Sequence, residues 1–328
     1  MDVIYIKKSA IVKITGAIIS IALIVLLFKD INLSEFSGAF AETDKTMLFA
    51  AGALYLANYI LRSLRWMFIL KSIKDISVRT LLPTILASYS ANNILPLRAG
   101  EFVRAIHGFK KTGVPAAQLF STVIVERIID VLMLLALLGA CALFNPMVLS
   151  KLNFKVSLII ICVAAAVIIL GAVLASVYKE NLTRLVPDKL KPLLLQLTEG
   201  LKCISSAENL LYTVLASSAI WFVENATIWL VYRGFGMDID LMQSLLILVV
   251  INLMITIPST PGFVGIVESA CVLALSAYGM SGSDVLAAAV GLHLIQFVPV
   301  TVIGIIILIK DGVNLSNVKD TGSRADMQ

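Results

Sequence analysis

Glu126, Arg127 and Asp130 interrupt an apolar run that extends from about 117 to 144. Glu126 and Asp130 stand four residues apart on one helical face, and Arg127 precedes Asp130 by three, so an ion pair within the helix is available. Ionised side chains at membrane depth are rare and turn towards a bundle interior or a water path, which makes this trio a candidate for handling a charged group. A buried pair that simply joins two helices is the competing reading. Glu224 and Asn225 lie near the centre of another apolar run, 210–232, and Glu268 follows Gly262 by six residues. Both carboxylates could face one cavity with the first trio.

Two further regions are apolar but broken. The first, TLLPTILASYSANNILPLRAGEFVRAIHGFKKTGV from Thr80 to Val114, carries Asn92, Asn93, Pro96, Arg98, Gly100, Glu101 and Arg104 about its break. The second, 241–280, breaks at Pro258, Pro261 and Gly262. Arg98, Arg104 and Arg127 could meet a phosphate bidentately while nearby carboxylates offset their charge or carry a proton, a set that suits an anionic or zwitterionic head group. Arg98 and Glu101 flank the first turn and lead the candidates. Helix starts attract anions, so an anionic group could also sit where the chain resumes after Gly100 or Gly262. Arg104, Lys110 and Lys111 have an alternative role in contacting anionic lipid surfaces. The amphipathic arm that carries them could equally lie in the membrane interface. Arg62 and Arg65, at the end of an apolar run, are expected to snorkel and are left outside the site.

Other chemistries find little support. His107 and His293 lack acidic or cysteine neighbours at ligand spacing, so neither a zinc site nor a histidine-based triad is expected. Cys141, Cys162, Cys203 and Cys271 stand alone and read as packing residues. No Walker sequence or Gly-rich nucleotide loop is present, and no nucleophile and base stand at recognisable spacing. The expectation is a protein without metal, cofactor or catalytic residues.

The elements that must position these groups are membrane helices. Of 328 residues 59% are hydrophobic and 14% charged, with mean hydropathy +0.97, which excludes an ordinary soluble enzyme and a disordered chain. The net charge of +5 is not gathered into a basic stripe, so nucleic acid is not an expected partner. Six runs are long enough for a bilayer core of about 30 Å, near 10–28, 47–70, 117–144, 156–178, 210–232 and 284–310. The first follows Lys7, Lys8 and Lys13 as a signal peptide would, but Ala39-Phe40-Ala41 lies too far beyond it for cleavage, so a retained span is expected.

Charge asymmetry orients the spans. With both broken regions as re-entrant hairpins, 20 Lys and Arg fall on one face and 5 on the other, with Arg127 inside a span. Letting 80–97 cross erases that bias, so both termini are expected in the cytoplasm of a plasma-membrane protein. Segment 179–209, with Pro187 and Pro192, reads as a cytoplasmic connector, and 311–328 as a cytoplasmic tail.

The breaks resemble each other. Leu95-Pro96-Leu97-Arg98-Ala99-Gly100 sets against Ile257-Pro258-Ser259-Thr260-Pro261-Gly262, pairing Pro96 with Pro258 and Gly100 with Gly262, with Asn92 and Asn93 before one and Asn252 before the other. Opposite entry sides make this an inverted-topology repeat, with halves at about 47–144 and 210–310 in one integral membrane domain. Non-helical backbone at membrane depth survives only inside protein or beside a wet cavity. The expected fold is therefore an all-α polytopic membrane protein of about six full transmembrane helices plus two broken re-entrant hairpins.

NNILPLRAGEFVRA at 92–105, ERIIDVLMLL at 126–135 and IPSTPGFVGIVE at 257–268 resemble the flippase-like family that forms the transmembrane region of lysylphosphatidylglycerol synthases, the multiple peptide resistance factors. The resemblance implies movement or handling of phospholipids or polyprenyl-linked lipids between leaflets. Those synthases continue into a soluble aminoacyltransferase domain, whereas about 18 residues follow Lys310 here, so no lipid-aminoacylating activity is carried over. The expectation is a flippase or scramblase-like lipid translocase that works without ATP hydrolysis. A secondary transporter of a small organic anion, and a membrane partner of a separate lipid-modifying enzyme, are the alternatives.

Overall fold

A computed structural model describes residues 32–95, 99–144, 206–256 and 261–312, with isolated residues 25, 191, 195 and 196. The described residues form nine α-helices: α1 Leu33–Ala41, α2 Lys45–Leu70, α3 Val78–Ile94, α4 Gly100–Thr112, α5 Ala116–Phe144, α6 Ala207–Gly234, α7 Leu241–Met254, α8 Ile266–Ser276 and α9 Ser283–Lys310. Among these residues no strand is present. The expected spans at 10–28 and 156–178, most of the 179–209 connector and the tail from 313 lie outside the described residues.

Helix starts follow local chemistry. The Asp44 carboxylate accepts the Thr46 and Met47 N–H groups at the head of α2, and Asp240 and Gln243 close a reciprocal capping box at the head of α7. Gly113, at φ 72°, ends α4 in the left-handed conformation that a side chain disfavours.

Four helices, α2, α5, α6 and α9, are long and apolar enough to cross a membrane, and they coincide with the expected spans at 47–70, 117–144, 210–232 and 284–310. Even α2, with 26 residues, extends about 39 Å against a hydrocarbon core of about 30 Å. The broken regions differ: α3 has 17 residues, α7 has 14 and α8 has 11, so α7 and α8 reach only about 21 and 17 Å. Phe49, Leu143, Phe144, Phe222 and Ile309 all lie exposed on the outer surface. Side chains of this kind at the rim of a helix bundle are suited to lipid rather than water.

Inside lipid, close helix approach does what the hydrophobic effect does in water. α2 packs on α6, α3 on α9 and on α4, and α7 and α9 on α8. A side chain at Gly304 of α9 would lie 2.2 Å from Ser90 Cβ and 2.6 Å from the Leu86 carbonyl of α3. That contact permits the Ser90 hydroxyl to donate to the Thr301 carbonyl at 2.9 Å and Asn93 Nδ2 to Thr301 Oγ1 at 2.7 Å. One apolar cluster gathers Tyr59, Trp66, Leu81 and Leu119 about α2, α3 and α5, and a larger one gathers Tyr232, Ile247, Val250, Cys271 and Leu292 about α6 to α9.

Candidate functional site

α5 carries the charged trio into the bundle. Glu126 is buried among three guanidinium groups: it accepts from Arg104 bidentately at 2.9 and 2.8 Å and from Arg127 at 2.8 Å, and it pairs ionically with Arg65 at 3.0 Å. Arg65 also donates to Asp130 at 2.5 Å, and Arg127 reaches Asp130 at 3.3 Å and Glu101 at 3.7 Å. On the facing side Arg62 of α2 pairs with Glu224 of α6 and donates to the Tyr89 hydroxyl of α3. Four arginines thus meet four carboxylates. A balanced cluster avoids an uncompensated charge in a low-dielectric interior, which is far costlier than a well-bonded pair. Arginine suits the work because its planar fork bonds two carboxylate oxygens at once.

Aromatic rings complete the cradle. The Arg104 guanidinium stacks 4.0 Å from the Trp66 ring, and that of Arg62 lies 4.8 Å from the Tyr89 ring. Trp66 is itself fixed, donating its indole N–H to Thr122 Oγ1 at 3.0 Å.

These residues border a cavity of about 450 Å³, within the range of small-molecule sites. Arg62, Glu224, Arg127, Asp130, Glu101 and Arg104 line it, with Tyr55 and Tyr89, whereas Arg65 and Glu126 stand behind the wall. Arg127 is the most open of the arginines at 33% side-chain exposure, against 11% for Arg62 and 2% for Arg104.

The breaks expected at 92–105 and 257–268 border the same space. Asn92, Asn93, Gly262 and Phe263 line the cavity, as do Asn252, His293, Gln296 and Phe297. Gly262, at φ 79°, follows Pro261 in a short 3-10 turn. Glu268 lies just behind that turn, where its Oε1 is 2.7 Å from His293 Nδ1 and its Oε2 accepts the Gly265 N–H at 2.7 Å. Asn225 stands apart, donating to the Leu241 carbonyl at 3.1 Å. Pro96, Arg98 and Pro258 lie outside the described residues.

Two expectations are corrected. Arg62 and Arg65 do not snorkel: Arg65 has 0% side-chain exposure and both arginines are held in ion pairs. Their signal was present as Asn58, Arg62 and Arg65, spaced four and three residues apart on one face of an apolar helix. At the helix starts after the breaks one N–H each is already taken, that of Gly100 by Asn92 Oδ1 at 2.8 Å and that of Gly265 by Glu268. Finally, α4 turns Arg104 and His107 inward while Lys110 and Lys111 stay exposed. Arg104 and His107 are buried while Phe102 and Phe109 are half exposed, so Arg104 is bound within the bundle and not to a lipid surface.

At its far end α4 is latched to the end of α9. Burial pushes the His107 pKa below its ordinary value, outweighing the Asp311 carboxylate that favours the charged form. The neutral ring donates from Nε2 to Asp311 Oδ2 at 2.8 Å and accepts the Thr84 hydroxyl at Nδ1, also at 2.8 Å. Lys111 donates to the other Asp311 oxygen at 2.7 Å, and these bonds hold the Asp311 carboxyl below its usual value.

Among the described residues no group of three or more His, Cys, Asp or Glu side chains is placed to hold a metal ion. Long apolar helices surrounding a charged, aromatic-lined cavity define a polytopic helical membrane protein. Residues 13–304 match the family described as the lysylphosphatidylglycerol synthase TM region, and the chain belongs to that family. It is thereby a multi-pass membrane protein of a family linked to lipid handling.

The chain is 26% identical over 322 residues to a UPF0104 membrane protein of Methanothermobacter thermautotrophicus, an alignment covering 91% of this chain and 94% of that one. It is 23% identical over 217 residues to another UPF0104 membrane protein, from Methanocaldococcus jannaschii, covering 66% of this chain and 91% of the relative. It is also 25% identical over 330 residues to the glycosyltransferase AglD of Haloferax volcanii, covering 89% of this chain but 53% of that protein. No solved structure matches the chain.

Proposed function

We propose that the chain translocates the head group of a phospholipid or polyprenyl-linked lipid between leaflets of the plasma membrane, without ATP hydrolysis and without making or breaking bonds in the lipid. The observation that carries this reading is Arg127, whose side chain is 33% exposed, backed by the buried Arg65–Glu126–Arg104 cluster and bordering a cavity of about 450 Å³ inside an apolar bundle. A phosphate in the cavity replaces the long 3.7 Å contact of Glu101 on Arg127 Nε, so binding is an exchange of anionic partners. Because the local charges balance, the resting cavity stands in the membrane without an ion or lipid to neutralise it.

The family description names a lipid, lysylphosphatidylglycerol, and supports a lipid as the passenger. The excess of Lys and Arg on one face supports cytoplasmic termini. The direct experiment is reconstitution of the chain in liposomes with labelled phosphatidylglycerol and a labelled polyprenyl phosphate. Leaflet exchange in the wild type that is lost in Arg127→Ala and Asp130→Asn supports translocation. Uptake of small organic anions into sealed vesicles, with no lipid exchange, replaces this reading with a secondary transporter.

A further inference from the structure

His293 makes two hydrogen bonds, and both of its partners are acceptors. Its Nε2 lies 2.8 Å from the Gly262 carbonyl oxygen, which has no proton to give, so Nε2 is the donor. Its Nδ1 lies 2.7 Å from Glu268 Oε1, and the other oxygen of that carboxylate is taken by the Gly265 N–H. The Nδ1 contact therefore needs a proton of its own, either on the ring as imidazolium or on the carboxyl as the acid. The two forms have the same proton count and the same net charge of zero. Remove that proton and one nitrogen lone pair must face an acceptor, so one of the two contacts breaks.

The position gives this proton mechanical leverage. Gly262 sits in the turn of the second broken region at φ 79°, Phe263 follows at φ 58°, and Gly265 lies two residues on at φ 85°. A non-glycine residue in that region is strained and persists where its surroundings hold it. His293 of α9 supplies that hold, and both it and Gly262 line the cavity. His293 and Glu268 have 12% and 9% side-chain exposure. They are buried enough to feel a missing proton and open enough to exchange one.

We propose that His293, Glu268 and the Gly262 carbonyl form a proton-binding site in the cavity wall, whose occupancy clamps or frees the second broken region and so couples movement of the passenger to a proton. With the proton bound, the ring bridges α8 to the turn. Without it, His293 releases the Gly262 carbonyl or the carboxylate, and the turn can leave the wall. The coupling rests on the translocation reading above; the proton site itself does not.

The surrounding titratable groups leave the pair isolated. Tyr232 of α6 and Cys271 of α8 act electrostatically with Glu268, and phenols and thiols ordinarily ionise well above neutrality. The cavity-facing side of α7 contributes Asn252, and that of α3 contributes Asn92, Asn93 and Tyr89. Tyr55 also lines the cavity, where Arg62 is bonded to Glu224 and Arg127 to Asp130 and Glu101.

The test uses the full chain in lipid with no passenger present. Infrared difference spectra are taken between about pH 8.5 and pH 3, a range that brackets ordinary histidine and glutamate titration. A one-proton step carrying linked imidazole and carboxyl bands is expected in the wild type and absent from Glu268→Gln. That variant donates its amide N–H to Nδ1 and so satisfies both contacts without a titrating proton. Amide exchange over 261–268, corrected for its intrinsic pH dependence, should slow about tenfold on the acid side in the wild type and stay protected throughout in Glu268→Gln. His293→Gln, a second variant should the first misfold, must also lose the step. Bands that survive either substitution, or protection that ignores pH in the wild type, overturn the proposal. These readouts involve no lipid transfer, so an inactive translocation assay leaves them intact. In the translocation assay, exchange that varies with pH in the wild type and is flat in Glu268→Gln supports the coupling, and equal pH dependence in both overturns it.

Discussion

Arg104 and Glu126 form a bidentate pair with N–O distances of 2.9 and 2.8 Å, and both side chains have 2% exposure. The pair ties α4, on the far side of the first break, to the long helix α5. Two more guanidiniums converge on the same carboxylate, so Glu126 anchors the charge network.

Glu126→Gln therefore acts on folding before it acts on function. Removing one partner of a buried pair typically costs about 3–5 kcal/mol, because the remaining charge stays buried. The expected outcome is a marked fall in melting temperature in detergent, or loss of the protein from the membrane. Replacing Arg104 and Glu126 together by leucine should be less harmful than Glu126→Gln alone, and a thermal-shift comparison of the two checks it.

Arg127→Ala should behave in the opposite way. Its side chain opens to the cavity and Glu126 keeps two other guanidiniums, so the melting temperature should fall by only a few degrees, as for a change of about 1 kcal/mol. Lipid exchange in liposomes should nevertheless drop by about tenfold or more, equivalent to about 1.4 kcal/mol of lost stabilisation. Arg127→Lys should recover only part of it, since a point charge cannot reproduce bidentate contact.

Gly100→Ala tests the tightness of the first break. The added carbon would lie 2.1 Å from the Ser88 carbonyl oxygen and 2.6 Å from Asn92 Oδ1, so α3 and α4 must separate. A loss of about 1–3 kcal/mol is expected from such overpacking, with faster exchange of the residue 100 amide as its bond to Asn92 Oδ1 is lost.

The latch at the end of α4 sets a pH dependence whose sign can be worked out. His107 has a lowered pKa, so the unfolded chain takes up a proton first, and stability falls as pH drops below the ordinary histidine value of about 6.5. Asp311 also has a lowered pKa, so its contribution is present above the ordinary aspartate value and is lost as pH falls below about 3.9. Amide exchange over 105–112 should therefore accelerate in two steps on acidification beyond the intrinsic trend, and His107→Gln should abolish the upper step.

The same latch fixes sidedness. Lys111 and Asp311 are 2.7 Å apart, so the end of α4 and the end of α9 emerge on one membrane face. Single cysteines at 110 and 312 should react with an impermeant thiol reagent from the same side. Reaction of the two from opposite sides would contradict the fold.

Charged residues in the middle of an apolar run are conspicuous, which is why Glu126, Arg127, Asp130 and Glu224 were legible without a structure. The breaks were legible too, because proline and glycine in an apolar stretch have few other uses. Arg62 and Arg65 were misjudged because they precede Lys71 and Lys74 near the end of their helix, and the depth of a terminal arginine is set by packing that sequence does not express. His293 was missed for a different reason. Its partners are a carboxylate 25 residues away and a backbone carbonyl, and a carbonyl leaves no mark in sequence. Likewise, whether a helix start is free or already capped by Asn92 or Glu268 depends on how the chain doubles back.

Gly262 does more than turn the chain. A carbon added there would lie 2.9 Å from the Phe297 ring and 3.6 Å from the backbone oxygen of Asn93, so the second break leans against the first with α9 behind it. The two interruptions thus share a single seam, like the meeting edges of double doors. A displacement of one edge therefore moves the other with it, so the two breaks behave as one joint and not as two independent ones.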